Sequence, residues 1–302
     1  MTQAAERPSQ RTASAALRNR TIVVNGVRTH YTEAGDDGPV LIALHGGGAG
    51  SSGGAGMGGL LPELAPHYRA IAIDSVGGFG QTDPAAPTPY GVQSRVEQVE
   101  AVVDAMGLDR FVIVGNSQGA WVAAKYAIQH PDRVTKMVLI ASATISAAMG
   151  IPEEFTPAFK KLAGYDYTRE AMREMMEALI YDKAKVTDEL IEARYLSSIR
   201  PGAKEALAAF SAGHRYLQSP EMFANFDMRT SLPEITKHIP TEFVWGEQDA
   251  MAPAHVGRQL EALLPGVKFH YLDHAGHQVQ TDQPHALAQI IVNLRSKPDA
   301  VR

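Results

Sequence analysis

Gly115-Asn116-Ser117-Gln118-Gly119 is the stretch that decides the fold. It follows an apolar run, Phe111-Val112-Ile113-Val114, and leads into Ala120-Trp121-Val122-Ala123-Ala124-Lys125-Tyr126-Ala127, which reads as a helix. Strand, Gly-x-Ser-x-Gly and helix in that order form a nucleophile elbow, a turn so tight that glycine is needed on both sides of the serine. The turn lifts the Ser117 hydroxyl above the sheet with a helix N-terminus beneath it.

Strand-like and helical segments alternate on both sides of this turn, as in an α/β sheet. Upstream, 21–25 and 29–33 flank Asn25-Gly26, a strong hairpin signal. The apolar strand 40–44 ends at His45-Gly46-Gly47-Gly48, and a glycine-rich loop runs on through Gly59. Strand 70–74 ends in Gly77-Gly78-Phe79-Gly80, and 92–106 has helical spacing through Val96, Val99, Val102, Val103 and Met106. After a buried strand at 134–141 the pattern changes. Residues 145–232 offer candidate helices at 152–162, 168–181, 187–199 and 202–212, with no convincing strand. Alternation resumes at 242–245, 256–264, 269–272 and 286–294. This organisation predicts a core of 21–144 and 233–302, a helical lid at 145–232 and a disordered tail at 1–20. The arginines of that tail would also suit a transit peptide.

Composition narrows the function. The chain has 302 residues, 45% of them hydrophobic and 20% charged, ordinary values for a soluble globular protein. A net charge of −5 argues against a nucleic-acid partner. No apolar run is long enough to span a membrane, and residues 1–20 lack the apolar segment of a secretory signal, so a cytoplasmic protein is expected. There is no cysteine, which excludes disulfides, thiolate catalysis and cysteine-bound metal. No His-x-x-x-His spacing suggests zinc, and the glycine loop lacks the Gly-Lys-Ser/Thr ending of a phosphate cradle. Neither a metal nor a cofactor is expected.

A serine nucleophile needs a base to take its proton and an acid to orient that base, in the chain order Ser, Asp or Glu, His for this kind of sheet. The strand Phe243-Val244-Trp245-Gly246 exits through Glu247-Gln248-Asp249, where Asp249 is favoured as the acid and Glu247 competes. The last strand runs into His274-Ala275-Gly276-His277. His277 is favoured because Gly276 allows the tight turn before it, and His274 is the rival. The oxyanion formed by attack needs donors, expected from the backbone N–H groups of Gln118 and Gly47. Gly46 and Gly48 would let the backbone approach a substrate closely. Arg194 follows Leu190 by four and Ile191 by three, so it shares their apolar helix face. A charge there needs a partner or a carboxylated ligand. Glu192 and Asp188 are the candidate partners, and snorkelling to the surface is the alternative.

Together these motifs resemble the α/β-hydrolase superfamily over nearly the whole chain. Serine at the elbow is unlike the epoxide hydrolases and haloalkane dehalogenases, which carry aspartate there. Leu44-His45-Gly46-Gly47-Gly48-Ala49-Gly50 and Gly115-Asn116-Ser117-Gln118-Gly119 resemble the meta-cleavage product hydrolases, which cut a carbon–carbon bond in vinylogous 1,5-diketone acids made by aromatic ring opening. The resemblance implies a hydrogen bond within the site for Asn116 and a substrate-carboxylate contact for Arg194. It also implies a small-molecule partner that is apolar or aromatic and carries a carboxylate, and it allows a homodimer. Serine attack and direct activation of water by His277 both stay open. Three departures from that family stand out: Gln278 where tryptophan is usual after the histidine, Ser52-Gly53-Gly54-Ala55-Gly56-Met57 in place of a tryptophan and asparagine, and an extra glycine in Gly77-Gly78-Phe79-Gly80. A carboxylesterase or lactonase using the same residues is therefore the alternative, and a non-enzymatic ligand-binding member of the fold is a third. Phe155, Phe159, Met172, Met175, Met176, Met222, Phe223, Phe226 and Met228 would either pack the lid helices together or face a bulky apolar ligand.

Overall fold

The computed structural model describes residues 15–295. Eight strands form one sheet: β1 (Arg18–Val24), β2 (Val27–Ala34), β3 (Val40–Leu44), β4 (Arg69–Ile73), β5 (Phe111–Asn116), β6 (Val134–Ile140), β7 (Thr241–Gly246) and β8 (Lys268–Leu272). Their spatial order is β1-β2-β4-β3-β5-β6-β7-β8. β1 and β2 pair antiparallel, as do β2 and β4, and every later pairing is parallel. The hairpin closes at Asn25 and Gly26, which both have positive φ, as a tight two-residue turn requires. Residues 1–14 of the expected tail lie outside the described residues, and its last three do not fit a tail. Arg18–Arg20 already belong to β1, where Arg20 stands opposite Tyr31 and its guanidinium forms an ion pair with Glu33.

The central strands are continuous apolar runs because helices cover both faces. β5 is buried along its whole length, and Leu41 to Leu44 of β3 are equally enclosed. The helix Gln118–Gln129 packs its small face, Ala120, Ala123 and Ala124, close to the sheet. Trp121 of the same helix stacks on Phe226 at 5.6 Å and donates its indole N–H to the Phe226 carbonyl. That pair anchors the helical segment between β6 and β7 to the elbow helix.

Chain order reverses between β3 and β5. From β3 the chain crosses to β4 on one side and then returns to β5 on the other. In open α/β sheets such a switch point leaves a crevice at the carboxyl ends of the strands. The register pairs Leu44 with Gly115, so the loops leaving β3 and β5 rise side by side.

Several segments differ from their sequence reading. The glycine loop after β3 contains a short helix, Gly53–Met57. Ser52 caps it by accepting from the Ala55 N–H, and Asp74 accepts from the Gly53 N–H at 2.6 Å. These side-chain acceptors outweigh the poor helix propensity of glycine. Helix 152–162 shortens to Pro157–Ala163 because Thr156 supplies its cap, and helix 202–212 extends to Ala203–Leu217. The helices Ala143–Ala148 and Ser231–His238 cross the two ends of the 145–232 block.

Candidate active site

Ser117 occupies the tip of the turn between β5 and the helix Gln118–Gln129, with φ 55° and ψ −122°. This is a strained conformation for a residue with a side chain, and strain of this kind survives only where its surroundings impose it. The Ser117 N–H donates to the Ile140 carbonyl at 2.8 Å, and the Ser117 carbonyl accepts from the Ser142 hydroxyl at 2.7 Å. The flanking glycines are needed for close approach. A Cβ on Gly115 would lie 2.1 Å from the Gly119 carbonyl oxygen, and one on Gly119 would lie 2.3 Å from the Leu44 carbonyl oxygen.

His277 and Asp249 come from the loops after β8 and β7. Asp249 Oδ2 lies 2.8 Å from His277 Nδ1, with both side chains almost wholly buried. The other carboxylate oxygen accepts from the backbone N–H groups of Met251 and Ala252, each at 2.8 Å. Asp249 is thereby fixed as an acceptor toward the ring. A proton on Nδ1 leaves Nε2 free to take another, the arrangement a general base requires. The rivals sit elsewhere. Glu247 pairs with Arg258, and His274 is 67% exposed, paired with Asp273 and packed edge-on to Tyr181.

Asn116 joins the two loops. Its side-chain amide donates to the His277 carbonyl at 3.1 Å, and its Oδ1 accepts from Gln280. The His277 loop is held from the other side by Asp282, whose carboxylate accepts from the backbone N–H groups of Gly276, Tyr181 and Asp182. Tyr181 and Asp182 belong to the helical block, so one buried acid ties that block to the loop carrying His277.

The loop leaving β3 runs beside Ser117. His45 is buried, with Nδ1 on the Gly46 carbonyl at 2.7 Å and Nε2 accepting from the Ser75 N–H at 3.1 Å. Burial, and next the neighbouring Arg95 charge, hold its pKa well below the ordinary histidine value, so the ring is neutral. The Gly47 carbonyl accepts from the Ser51 hydroxyl at 2.8 Å, and Ser51 in turn accepts from Arg194 Nη2 at 2.9 Å. The backbone N–H of Gln118 opens the first turn of its helix, where N–H groups have no partner within the helix.

Arg194 is 1% exposed and does not reach the surface. Its proposed partners are taken: Glu192 pairs with Arg169, and Asp188 with Arg173. Arg194 instead donates to Ser51 and to the Ala49 carbonyl, its Nε has no partner, and burial lowers its pKa to about 10. Among the described residues it meets no carboxylate.

These residues surround a cavity of ≈ 470 Å³. Ser117, His277, Gly46, Gly47, Gly48, Asn116, Gln118, Arg194 and Gln278 all line it, while Asp249 stands behind His277. Of the nine methionines and phenylalanines of the 145–232 block that would either pack its helices together or face a ligand, only Phe155 and Phe159 reach the wall. Met172, Met175 and Met176 fill a separate cluster with Leu179, Ile180, Val186 and Ile191, and Phe226 and Met228 join the main core. The apolar wall comes from Phe155, Phe159, Leu162, Leu179, Phe210 and Met251. The sequence reading missed Arg95. It follows Val92 by three and precedes Val99 by four on a buried helix face, the same signal that marks Arg194. No helix among the described residues is long and apolar enough to cross a membrane.

Residues 39–284 match the family model of the alpha/beta hydrolase fold. The chain is 32% identical over 281 residues to the 2-hydroxy-6-oxo-2,4-heptadienoate hydrolase of Pseudomonas putida, covering 93% of this chain and 97% of that one. It is 30% identical to the 2-hydroxy-6-oxo-6-(2'-aminophenyl)hexa-2,4-dienoic acid hydrolase of Metapseudomonas resinovorans, covering 97% and 96%. The solved meta-cleavage product hydrolase CumD of Pseudomonas fluorescens IP01 superposes with a TM-score of 0.74 at 30% identity, covering 91% of this chain and 96% of that one. With its sheet order, its elbow serine and these relatives, the chain belongs to the α/β-hydrolase fold family and is a hydrolase related to the meta-cleavage product enzymes.

Proposed function

We propose that this enzyme hydrolyses a carbon–carbon bond in a vinylogous diketone acid of the kind formed by aromatic ring fission. The observation that carries the reading is Arg194, a buried guanidinium without a carboxylate partner on the wall of the cavity that holds Ser117. A buried cation of this kind recognises an anionic group strongly, because each bond it makes is charge-assisted and shielded from water. The relatives named above act on 2-hydroxy-6-oxo-dienoic acids, which present a carboxylate at one end and a ketone further along.

In this reading Arg194 grips the carboxylate and orients the chain. The dienol form of the substrate loses its hydroxyl proton and takes one on carbon to become the dienone, which makes the ketone beyond it electrophilic. His277 accepts the Ser117 hydroxyl proton as the oxygen attacks that ketone. The N–H groups of Gly47 and Gln118 receive the oxyanion. Collapse of the tetrahedral adduct breaks the C–C bond, and the leaving carbon carries away the electron pair and takes the proton that His277 received from Ser117. Water then attacks the acyl-serine, giving its proton to His277, which passes it to the Ser117 oxygen as the acyl bond breaks and the second product acid leaves. Asp249 keeps His277 in the required tautomer throughout. The 145–232 block serves as the lid, since Phe155, Phe159, Arg194 and Phe210 approach from it while Ser117 and His277 belong to the core.

The test follows loss of dienolate absorbance on 2-hydroxy-6-oxohepta-2,4-dienoate beside hydrolysis of 4-nitrophenyl acetate. Arg194→Ala is expected to raise KM for the dienoate about 10- to 100-fold, the worth of one charge-assisted contact, and to leave the ester almost untouched. Rapid ester turnover with no dienoate cleavage, indifferent to Arg194, would instead support an esterase or lactonase.

A further inference from the structure

Arg95 is one of the largest wholly buried side chains in the molecule, at 1% exposure. Nη2 donates to the His45 carbonyl at 2.5 Å and Nη1 to Gln118 Oε1 at 3.4 Å. The guanidinium carbon lies 5.5 Å from the centre of the Phe79 ring, and Nε has no partner. No carboxylate pairs with it among the described residues. Burial alone lowers its pKa to about 9, so it remains cationic at neutral pH. An enclosed guanidinium left without an acid costs stability.

Its two partners belong to the two walls of the oxyanion pocket. His45 begins the loop that carries Gly47, and Gln118 supplies the N–H next to the nucleophile. The Gln118 side chain also lies directly against Gly47: a Cβ there would stand 2.5 Å from Gln118 Oε1 and 2.7 Å from Gln118 Cδ. One guanidinium therefore clamps the loop after β3 to the start of the elbow helix through two neutral acceptors. Neither acceptor cancels its charge. Resting on the serine-hydrolase reading above, we propose that Arg95 is a positioning residue that sets the spacing of the Gly47 and Gln118 N–H groups and biases their pocket toward negative charge.

Donors fixed in advance, in a site sheltered from water, favour a charge that appears only in the transition state. Removing Arg95 should therefore weaken tetrahedral, anionic adducts and leave ground-state binding nearly intact.

The test uses phenylboronic acid, which adds to an activated serine as a tetrahedral anion. Its affinity is measured through inhibition of 4-nitrophenyl acetate hydrolysis, with rates expressed per titrated active site. Arg95→Met is expected to weaken phenylboronate and lower kcat by at least about 10-fold each, with KM moving less than about threefold. Arg95→Lys, which keeps the charge, should recover part of both. Gln118→Leu keeps the backbone N–H and removes the bridge, so it should reproduce the loss, and combining it with Arg95→Met should add little. Phenylboronate affinity and kcat unchanged in Arg95→Met would overturn the role. If that variant does not fold, an unchanged Gln118→Leu overturns it equally. Failure of phenylboronate to bind the unmutated enzyme would overturn the serine reading itself, and the Arg95 role with it.

Discussion

The side-chain amide of Asn116 donates to the main-chain carbonyl of His277 across 3.1 Å, linking the residue before the candidate nucleophile to the residue that would serve as base. Ser117 and His277 lie 160 residues apart in the chain and on loops from different strands. Their spacing therefore depends on tertiary bonds such as this one. Asn116→Leu is expected to lower kcat about 10- to 100-fold and to cost about 1–3 kcal/mol of stability, since it leaves a buried carbonyl unpaired. Turnover per titrated site and a urea unfolding curve check the two parts separately.

Asp249 holds its ring partner with one oxygen and two backbone N–H groups with the other. In Asp249→Asn the amide oxygen stays with Met251 and Ala252, so its NH2 must face His277 Nδ1. That nitrogen then has to accept, and the proton moves to Nε2, where it blocks transfer from Ser117. The expected loss in kcat is about 10³- to 10⁴-fold with little change in unfolding midpoint. Measurement of kcat on the dienoate or on an aryl ester reads it.

His274 lies in solvent on the outer side of the same loop. His274→Ala should change kcat less than about threefold, because an exposed pair with Asp273 contributes little. A loss comparable to that of His277→Ala would exchange the roles of the two histidines.

Stability should fall with acid through two neutral histidines. His45 is held well below its ordinary pKa, first by burial and then by Arg95; His214 is drawn down to about 4, also first by burial and then by Arg95. The unfolded chain takes up a proton near pH 6.5 at each, while the folded chain does not. The stabilisation is complete above that pH and is lost as pH drops, for His214 over the range from about 6.5 to about 4. The slope is about 1.4 kcal/mol per pH unit for each histidine. Urea unfolding at pH 7.5, 6 and 5 measures it, and His214→Gln should flatten the curve by the share of one group.

The fold was legible because its deciding signals are local. Glycine on both sides of Ser117, the Asn25-Gly26 turn and the apolar runs of β3 and β5 each state their structure within a few residues. The candidate site was legible for a similar reason, since Asp249 and His277 each follow a recognisable strand. What stayed hidden depends on long-range partners. The helix Gly53–Met57 exists because Asp74, 21 residues away, accepts from its first N–H. Asp282 looks like an ordinary polar residue until the loops it joins are seen together, and the hydrogen bond implied for Asn116 had no partner until the His277 loop was placed beside it. The methionines carry no mark of which neighbour they meet, so Met172, Met175 and Met176 could not be told from cavity lining until their own cluster was visible. Arg95 did carry a signal, a charge on an apolar helix stripe, but a stripe does not say what the charge faces.

The most direct measurement replaces the elbow hydroxyl. Ser117→Ala removes one oxygen from a residue whose backbone is held by Ile140 and Ser142, so the unfolding midpoint should be preserved. With 2-hydroxy-6-oxohepta-2,4-dienoate as substrate, the expected result is a fall in kcat of about 10³-fold or more while the substrate still binds. A variant that cleaves the dienoate at the unmutated rate would contradict attack by Ser117.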